Sequence, residues 1–310
     1  MRALKCCLFV CLAVTLVGAC SDDSGTTSDG PVITDGPLSP DGGGGGDSII
    51  VPDGPEPDAS GPAAALQSVV DTLTFPKNQN EYSVDLDGDG DKDNRIGEIN
   101  AILIPAGIDL QQEIDSVLKS AALIILFELF AQSLTDDPKA TLQYHEGSKL
   151  PVVNTYAITI NSPPNIVLDS KITGGKLEGG PGEFIIPLPL DNPPINVTIK
   201  KTQLKADVSS SGMANGQING AIPWDDVDQK LIPAIASMAN AALPTQPLLK
   251  LLDTNGDGTI TADDIRNSSL LKDILAPDVD LDGNGKDDDK PADGLSVGVA
   301  FTAASCTIQR

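Results

Sequence analysis

The chain has 310 residues, with 20 Lys and Arg against 44 Asp and Glu, giving a formal net charge of −24 and a pI near 4.1. This carboxylate surplus excludes nucleic acid as a partner, because binding phosphates needs Lys and Arg to displace their counterions. Apolar residues make up 40% of the chain, enough for a packed core, so end-to-end disorder is excluded as well.

Met1–Cys20 opens with Arg2 and Lys5, continues through an apolar stretch from Cys7 to Val17, and ends in Val17-Gly18-Ala19-Cys20. It is too short for a membrane span, and Ser21-Asp22-Asp23 follows in place of a basic stop-transfer flank, so it reads as a secretory signal over 1–19. The ending resembles the lipobox of bacterial lipoproteins. That resemblance implies a lipidated Cys20 as the first mature residue and a membrane as partner. With Ser21 rather than Asp in the next position, it also implies delivery to the outer membrane, facing either periplasm or exterior. The alternative is a plain leader cut after Ala19. Cys6, Cys7 and Cys11 leave with the leader, so Cys306 is the one thiol left for the mature chain, in a strand-like tail over Leu295–Ile308 that suits a buried, inert role.

Ser21–Pro62 holds nine acidic residues, no Lys or Arg, and the run Gly42–Gly46. Such a segment cannot bury enough apolar surface to offset its ordering entropy, and 20–62 reads as a lipidated Cys followed by a disordered acidic tether. Residues 63–310 then read as one domain. Strand signals run over Val69–Phe75, Leu123–Ala131, Val152–Ile160, Ile166–Ile172, Glu183–Leu190 and Ile195–Leu204, with the period of two clearest in Thr155–Ile160 and Asn196–Lys200. Helical spacing marks Leu110–Ser120 and Val227–Ala242, while Ala121–Ala131 suits either a buried helix or a buried strand. The expected fold is α+β: a β-rich antiparallel sandwich with helical insertions and a C-terminal loop-helix over about 247–275.

The sharpest motif is Asp253-Thr254-Asn255-Gly256-Asp257-Gly258-Thr259-Ile260-Thr261-Ala262-Asp263-Asp264. Calcium takes about six to eight oxygens, and a twelve-residue loop wraps it with donors at alternate positions. Asp253, Asn255 and Asp257 supply side-chain oxygens, Thr259 a backbone carbonyl, and Asp264 closes the loop, with Gly258 at the sharp turn. The loop resembles the EF-hand and the calcium loop of dockerin modules. It departs from the EF-hand at its last position, where Asp264 stands in place of the usual Glu and implies a weaker site.

An internal repeat adds two further loops. Val84-Asp85-Leu86-Asp87-Gly88-Asp89-Gly90 through Asn94 aligns with Val279-Asp280-Leu281-Asp282-Gly283-Asn284-Gly285 through Asp289, with seven identities in eleven positions. Both are similar to the calcium-wrapping repeats of thrombospondin type 3. The resemblance implies ligand sets Asp85, Asp87, Asp89 and Asp93, and Asp280, Asp282, Asn284 and Asp288; the alternative is a pair of solvated acidic turns. His145, the single histidine, reads as an ordinary surface residue at a strand end, and Trp224 as a packed residue at a helix start. No nucleophile elbow, C-x-x-C or H-E-x-x-H stands in the mature chain. The sequence therefore points to a non-enzymatic, calcium-binding surface lipoprotein. Two alternatives remain: a dockerin-like module docking a protein partner, and a hydrolase using paired carboxylates.

Overall fold

The computed structural model describes residues 64–105, 107–159, 166–188, 195–283 and 292–310. The leader, Cys20, the whole of the tether, Asn284 and Asp288 lie outside the described residues. Among the described residues ten strands form: β1 (Leu66–Thr74), β2 (Ile125–Phe130), β3 (Asp137–Lys149), β4 (Thr155–Ile158), β5 (Ile166–Thr173), β6 (Lys176–Leu188), β7 (Ile195–Ser209), β8 (Gly212–Pro223), β9 (Gly294–Ser305) and β10 (Thr307–Gln309).

The sandwich expected from the sequence is not what forms. Eight strands run in the order β3-β2-β1-β9-β8-β7-β6-β5, and β5 pairs back onto β3, closing an antiparallel barrel. β3 decides the difference. Its residues Thr141–Tyr144 pair with β2 on one side and with β5 on the other, for example Leu142 opposite both Leu129 and Leu168. A strand paired on both sides leaves no edge, and closure removes the unpaired row of amides and carbonyls that an open sheet must protect.

Alternation along β7 shows the barrel's two faces. Val197, Ile199, Leu204, Ala206 and Val208 point inward and are buried, while Asn196, Lys200, Lys205 and Ser209 are exposed. An irregularity between Lys200 and Gln203 lets both halves of this long strand keep their apolar side inward. At mid-barrel Phe127, Tyr144, Phe184 and Phe301 fill the lumen, with ring centroids 4.3 to 6.4 Å apart. An apolar lumen and a polar exterior are the reverse of a membrane barrel. Among the described residues no helix is long and apolar enough to cross a membrane.

Two long connections rise from the same barrel mouth, 75–124 between β1 and β2 and 224–293 between β8 and β9. The first carries α1 (Arg95–Leu103) and α2 (Leu110–Lys119), the second α3 (Trp224–Asp226), α4 (Ile232–Ala242) and α5 (Ala262–Asn267). α2 matches the sequence reading: Asp109 caps the Gln111 and Gln112 amides, and Leu110 and Ile114 face the core. The helix expected over Val227–Ala242 begins instead with a widened π-type turn, Val227–Leu231. Pro233 accounts for it, because a proline ring clashes with the carbonyl four residues earlier and removes a donor.

β4 and β10 lie outside the barrel and pair in parallel, Ile308 opposite Tyr156. They cover outward-pointing Ile124 and Leu126, which pack with Ile308, Tyr156 and Ile158. His145 also ends beneath this cover. It is 1% exposed, with Nε2 3.0 Å from Glu128 Oε2, so the surface position expected from the sequence does not hold. A sequence pattern shows only which strand face a residue takes, and here the second layer buries the outer face.

Candidate metal loops

The three acidic motifs occupy the two long connections: loop 1 (Asp85–Asp93), loop 2 (Asp253–Asp264) and loop 3 (Asp280–Asp293). Each begins with an aspartate whose carboxylate gathers amides from further along its loop. Asp85 accepts from the Gly88 and Gly90 amides at 2.6 and 3.1 Å, and Asp253 from Gly256 and Gly258, both at 2.8 Å. Asp280 accepts from Gly283 at 2.8 Å. These turns need left-handed backbone. Gly90 and Gly258 sit at φ +96° and +89°, where a Cβ would be strained.

Each loop is closed by a second aspartate that accepts the amide just after the first. Leu86 N donates to Asp93 at 3.0 Å, Thr254 N to Asp264 at 3.1 Å, and Leu281 N to Asp293 at 2.7 Å. The backbones of loops 1 and 3 also match: Asp93 N donates to Val84 O at 2.9 Å and Asp293 N to Val279 O at 3.1 Å. The structural counterpart of Asp93 is therefore Asp293, a residue absent from the sequence-derived set. The repeat aligned Asp93 with Asp288, because a linear alignment does not register the longer return of loop 3.

Carboxylate oxygens of Asp85, Asp87 and Asp89 all lie within 4.8 Å of one another, and so do those of Asp280, Asp282 and Asp293. Such a cluster of hard, anionic oxygens suits a divalent cation such as calcium. The two loops are also neighbours. Asp280 N donates to Asp87 Oδ2 at 3.4 Å, and Leu86 packs with Val279 and Ala221 in a small apolar cluster that Val84 and Leu281 complete. An open polar cleft of about 1010 Å³ runs beside loop 1, between Asp89 and Asp278.

Both loops are tied to the start of β9. Asn94 follows loop 1 and holds Gly298 with two hydrogen bonds of 3.0 Å, while the Arg95 amide donates to Ser296 Oγ at 2.8 Å. Asp278 precedes loop 3 and accepts both the amide and the hydroxyl of Ser296. The chain leaving loop 1 becomes α1 and the chain leaving loop 3 becomes the wall strand β9, so the two loops set the entry to a helix and to a barrel strand.

Loop 2 uses its closing residue to cap a helix. Asp264 is 2% exposed, and its two oxygens take the amides and hydroxyls of Thr254 and Thr261, forming with Thr261 a reciprocal cap on α5. The Thr254 and Thr261 hydroxyls hold its carboxyl well below the usual carboxylate range. Asp253 and Asp257 keep their loop contacts, Asn255 Oδ1 accepts the Asp257 amide, and the Thr259 amide donates to Asp257 at 2.8 Å. Among the described residues, Asp293 alone of the three closing residues stands in a carboxylate triad; Asp93 in loop 1 and Asp264 in loop 2 do not, and Asp253, Asp257 and Asp264 form no triad. Ile260 is buried and tied by its amide and carbonyl to the Asn240 side chain of α4.

One further buried charge lies away from the loops. Glu128, 1% exposed, accepts from Gln67 at 3.0 Å and from Arg310 at 2.9 Å besides facing His145. Burial works to raise its pKa, yet His145, Arg310 and Gln67 outweigh it and hold the carboxyl at about 2. Burial, then the charge of Glu128, pushes the half-buried Cys306 thiol up to about 11. No known protein family, curated protein or solved structure matches the chain, so its function has to be read from these groups.

Proposed function

We propose that the chain is a non-enzymatic, calcium-binding lipoprotein whose barrel is completed by cation binding at its acidic loops. The observation that carries this reading is the pair of carboxylate triads, Asp85/Asp87/Asp89 and Asp280/Asp282/Asp293, built on one hydrogen-bond skeleton and packed against each other. Oxygen-only donors on open loops favour calcium over zinc, which prefers nitrogen and sulfur, and over magnesium, which demands stricter octahedral geometry. Loop 2, with Asp253, Asn255, Asp257 and Thr259, is a further and weaker site, because Asp264 is engaged as a helix cap.

The role is structural and needs no catalysis. An ion that binds only the folded state stabilises it by about 2.7 kcal/mol at a hundredfold excess over its dissociation constant. The high pKa of Cys306 and the burial of His145 against Glu128 favour structural roles for both residues. Attachment is assigned to a lipid on Cys20 and the location to the outer membrane, with the tether between anchor and barrel. The polar exterior of the barrel supports attachment through the lipid rather than through the strands.

Calorimetric titration of calcium, magnesium and zinc into the protein tests the metal assignment. Calcium should bind with millimolar or better affinity, and the Asp85→Asn, Asp87→Asn double variant should lose one site. Failure of the wild type to take up calcium at several millimolar would overturn the reading. Labelling with radioactive palmitate tests the anchor: wild type should incorporate it, and Cys20→Ser should not.

A second reading, calcium-dependent docking of a protein partner, is favoured by Leu248, Leu251 and Leu270. These leucines are 61%, 72% and 46% exposed on the segments that enter and leave loop 2. A partner retained on immobilised protein with calcium and released by chelator would support it, while retention under both conditions would count against it.

A further inference from the structure

The barrel lumen is filled unevenly. Its middle is closed by the Phe127, Tyr144, Phe184 and Phe301 rings. Toward the mouth beneath α1, α2 and α4 the walls become almost wholly aliphatic, and a cavity of about 70 Å³ is left between strands and helices. Strand residues Val197 and Val297 face it from below, and Ile99, Ile114 and Ile235 face it from the helices; every residue lining it is apolar. Water gains nothing there, since a buried water needs about two to four polar partners. The space is about half the roughly 150 Å³ that admits benzene into an engineered apolar interior, so it fits the end of a hydrocarbon rather than a whole lipid.

An open groove of about 350 Å³ lies between the start of α2 and the end of α4, lined by Asp109, Glu113, Met238 and Ala242 among others. Leu110 and Ile114 line the cavity from α2 and Ile235 from α4, so the groove and the cavity share these two helices as a common wall. Carboxylates at the groove and a net charge of −24 disfavour an anionic head group.

We propose that the cavity and the groove above it form a binding site for an uncharged molecule with a short hydrocarbon tail, the tail beneath the helices and the polar end in the groove. This site is separate from the acidic loops and stands or falls independently of calcium binding.

Methyl-resolved NMR of the full-length protein in millimolar calcium tests the site, with 1-octanol as probe and octanoate as its anionic counterpart. The expected result is saturable movement of the Ile99, Ile114, Ile235 and Val297 methyl signals with octanol, at least tenfold weaker with octanoate. Val297→Phe, which fills the cavity from β9, should weaken octanol binding at least tenfold while leaving calcium uptake unchanged. If that variant fails to fold, Ile99→Phe fills the same space from α1, and the wild-type map still decides. Unmoved cavity methyls up to the solubility of octanol would overturn the proposal and leave the cavity a packing imperfection. Movement confined to exposed Leu248 and Leu251, or binding undiminished in a folded filled variant, would overturn it as well.

Discussion

Loops 1 and 3 and loop 2 share a hydrogen-bond skeleton but differ in what their carboxylates do next. In loop 2, Asp264 is satisfied by two hydroxyls and two amides of its own chain. In loops 1 and 3, three carboxylates converge within 4.8 Å, and unit charges at that distance repel by about 1 kcal/mol per pair even in a water-like medium. Glu128 shows a third solution, a buried carboxylate facing His145 and Arg310. The comparison teaches that an acidic residue in a motif is not yet a metal ligand. What sets loops 1 and 3 apart is convergence: each brings three carboxylates within 4.8 Å of one another, where a shared cation would offset their mutual repulsion.

Glu128 provides the largest expected effect. Glu128→Gln leaves His145 and Arg310 facing a neutral amide, and breaking such a buried pair should cost about 3–5 kcal/mol in urea melts, equally with and without calcium. The pH dependence has a definite sign. A folded pKa of about 2 against an ordinary glutamate value of 4.5 is worth roughly 3 kcal/mol of stability. That stability is fully present above about pH 4.5 and is lost as pH falls through about 2, which melts across that range can follow. A loss that depended on calcium would break the separation between this site and the loops.

Calcium removal comes next. Chelation should lower stability by about 2.7 kcal/mol if the ion stood at a hundredfold excess over its dissociation constant, or about 5–10 °C in melting temperature for a domain of this size. Amide exchange locates the change. Leu86, Gly88, Leu281 and Gly283 should lose protection, while Ile260, held by Asn240 and not by an ion, keeps it. Equal loss in all three loops would erase the distinction drawn between them.

The sequence carried the local half of this picture. Alternation identified most of β7, helical spacing identified α2, and the oxygen periodicity of Asp253–Asp264 marked a loop with the expected turns. Closure was not legible, because the pairing of β3 with β5 joins residues that carry no shared local signal. No strand signal marks β8, whose Gly212, Gly216 and Gly220 interrupt any apolar alternation. At Gly216 a Cβ would stand 2.5 Å from the Phe301 ring, so this glycine makes room for a core aromatic. Asp293 was missed because it reaches loop 3 from the foot of β9, outside the repeat unit.

That miss can be tested directly. Asp293→Asn should weaken calcium binding at loop 3 about tenfold, a loss of about 1.4 kcal/mol, while Asp288→Asn should leave it within a factor of two or three. Calorimetric titration of the two variants separates them. The reverse order would restore the sequence alignment and break the equivalence of Asp93 and Asp293.

The smallest effect belongs to loop 2 and bears most directly on why it differs. Thr261 caps α5 through the Asp264 amide while its own amide and hydroxyl occupy Asp264 Oδ2. Thr261→Ala removes the cap and should cost about 1 kcal/mol. It also frees one lone pair of Asp264 Oδ2, which a cation in the loop could then use. The substitution that destabilises the helix should therefore strengthen calcium binding at loop 2, so that part of the lost stability returns as calcium is raised. A cap loss that calcium does not offset would mean that loop 2 is a turn whose acidic residues serve the helix alone.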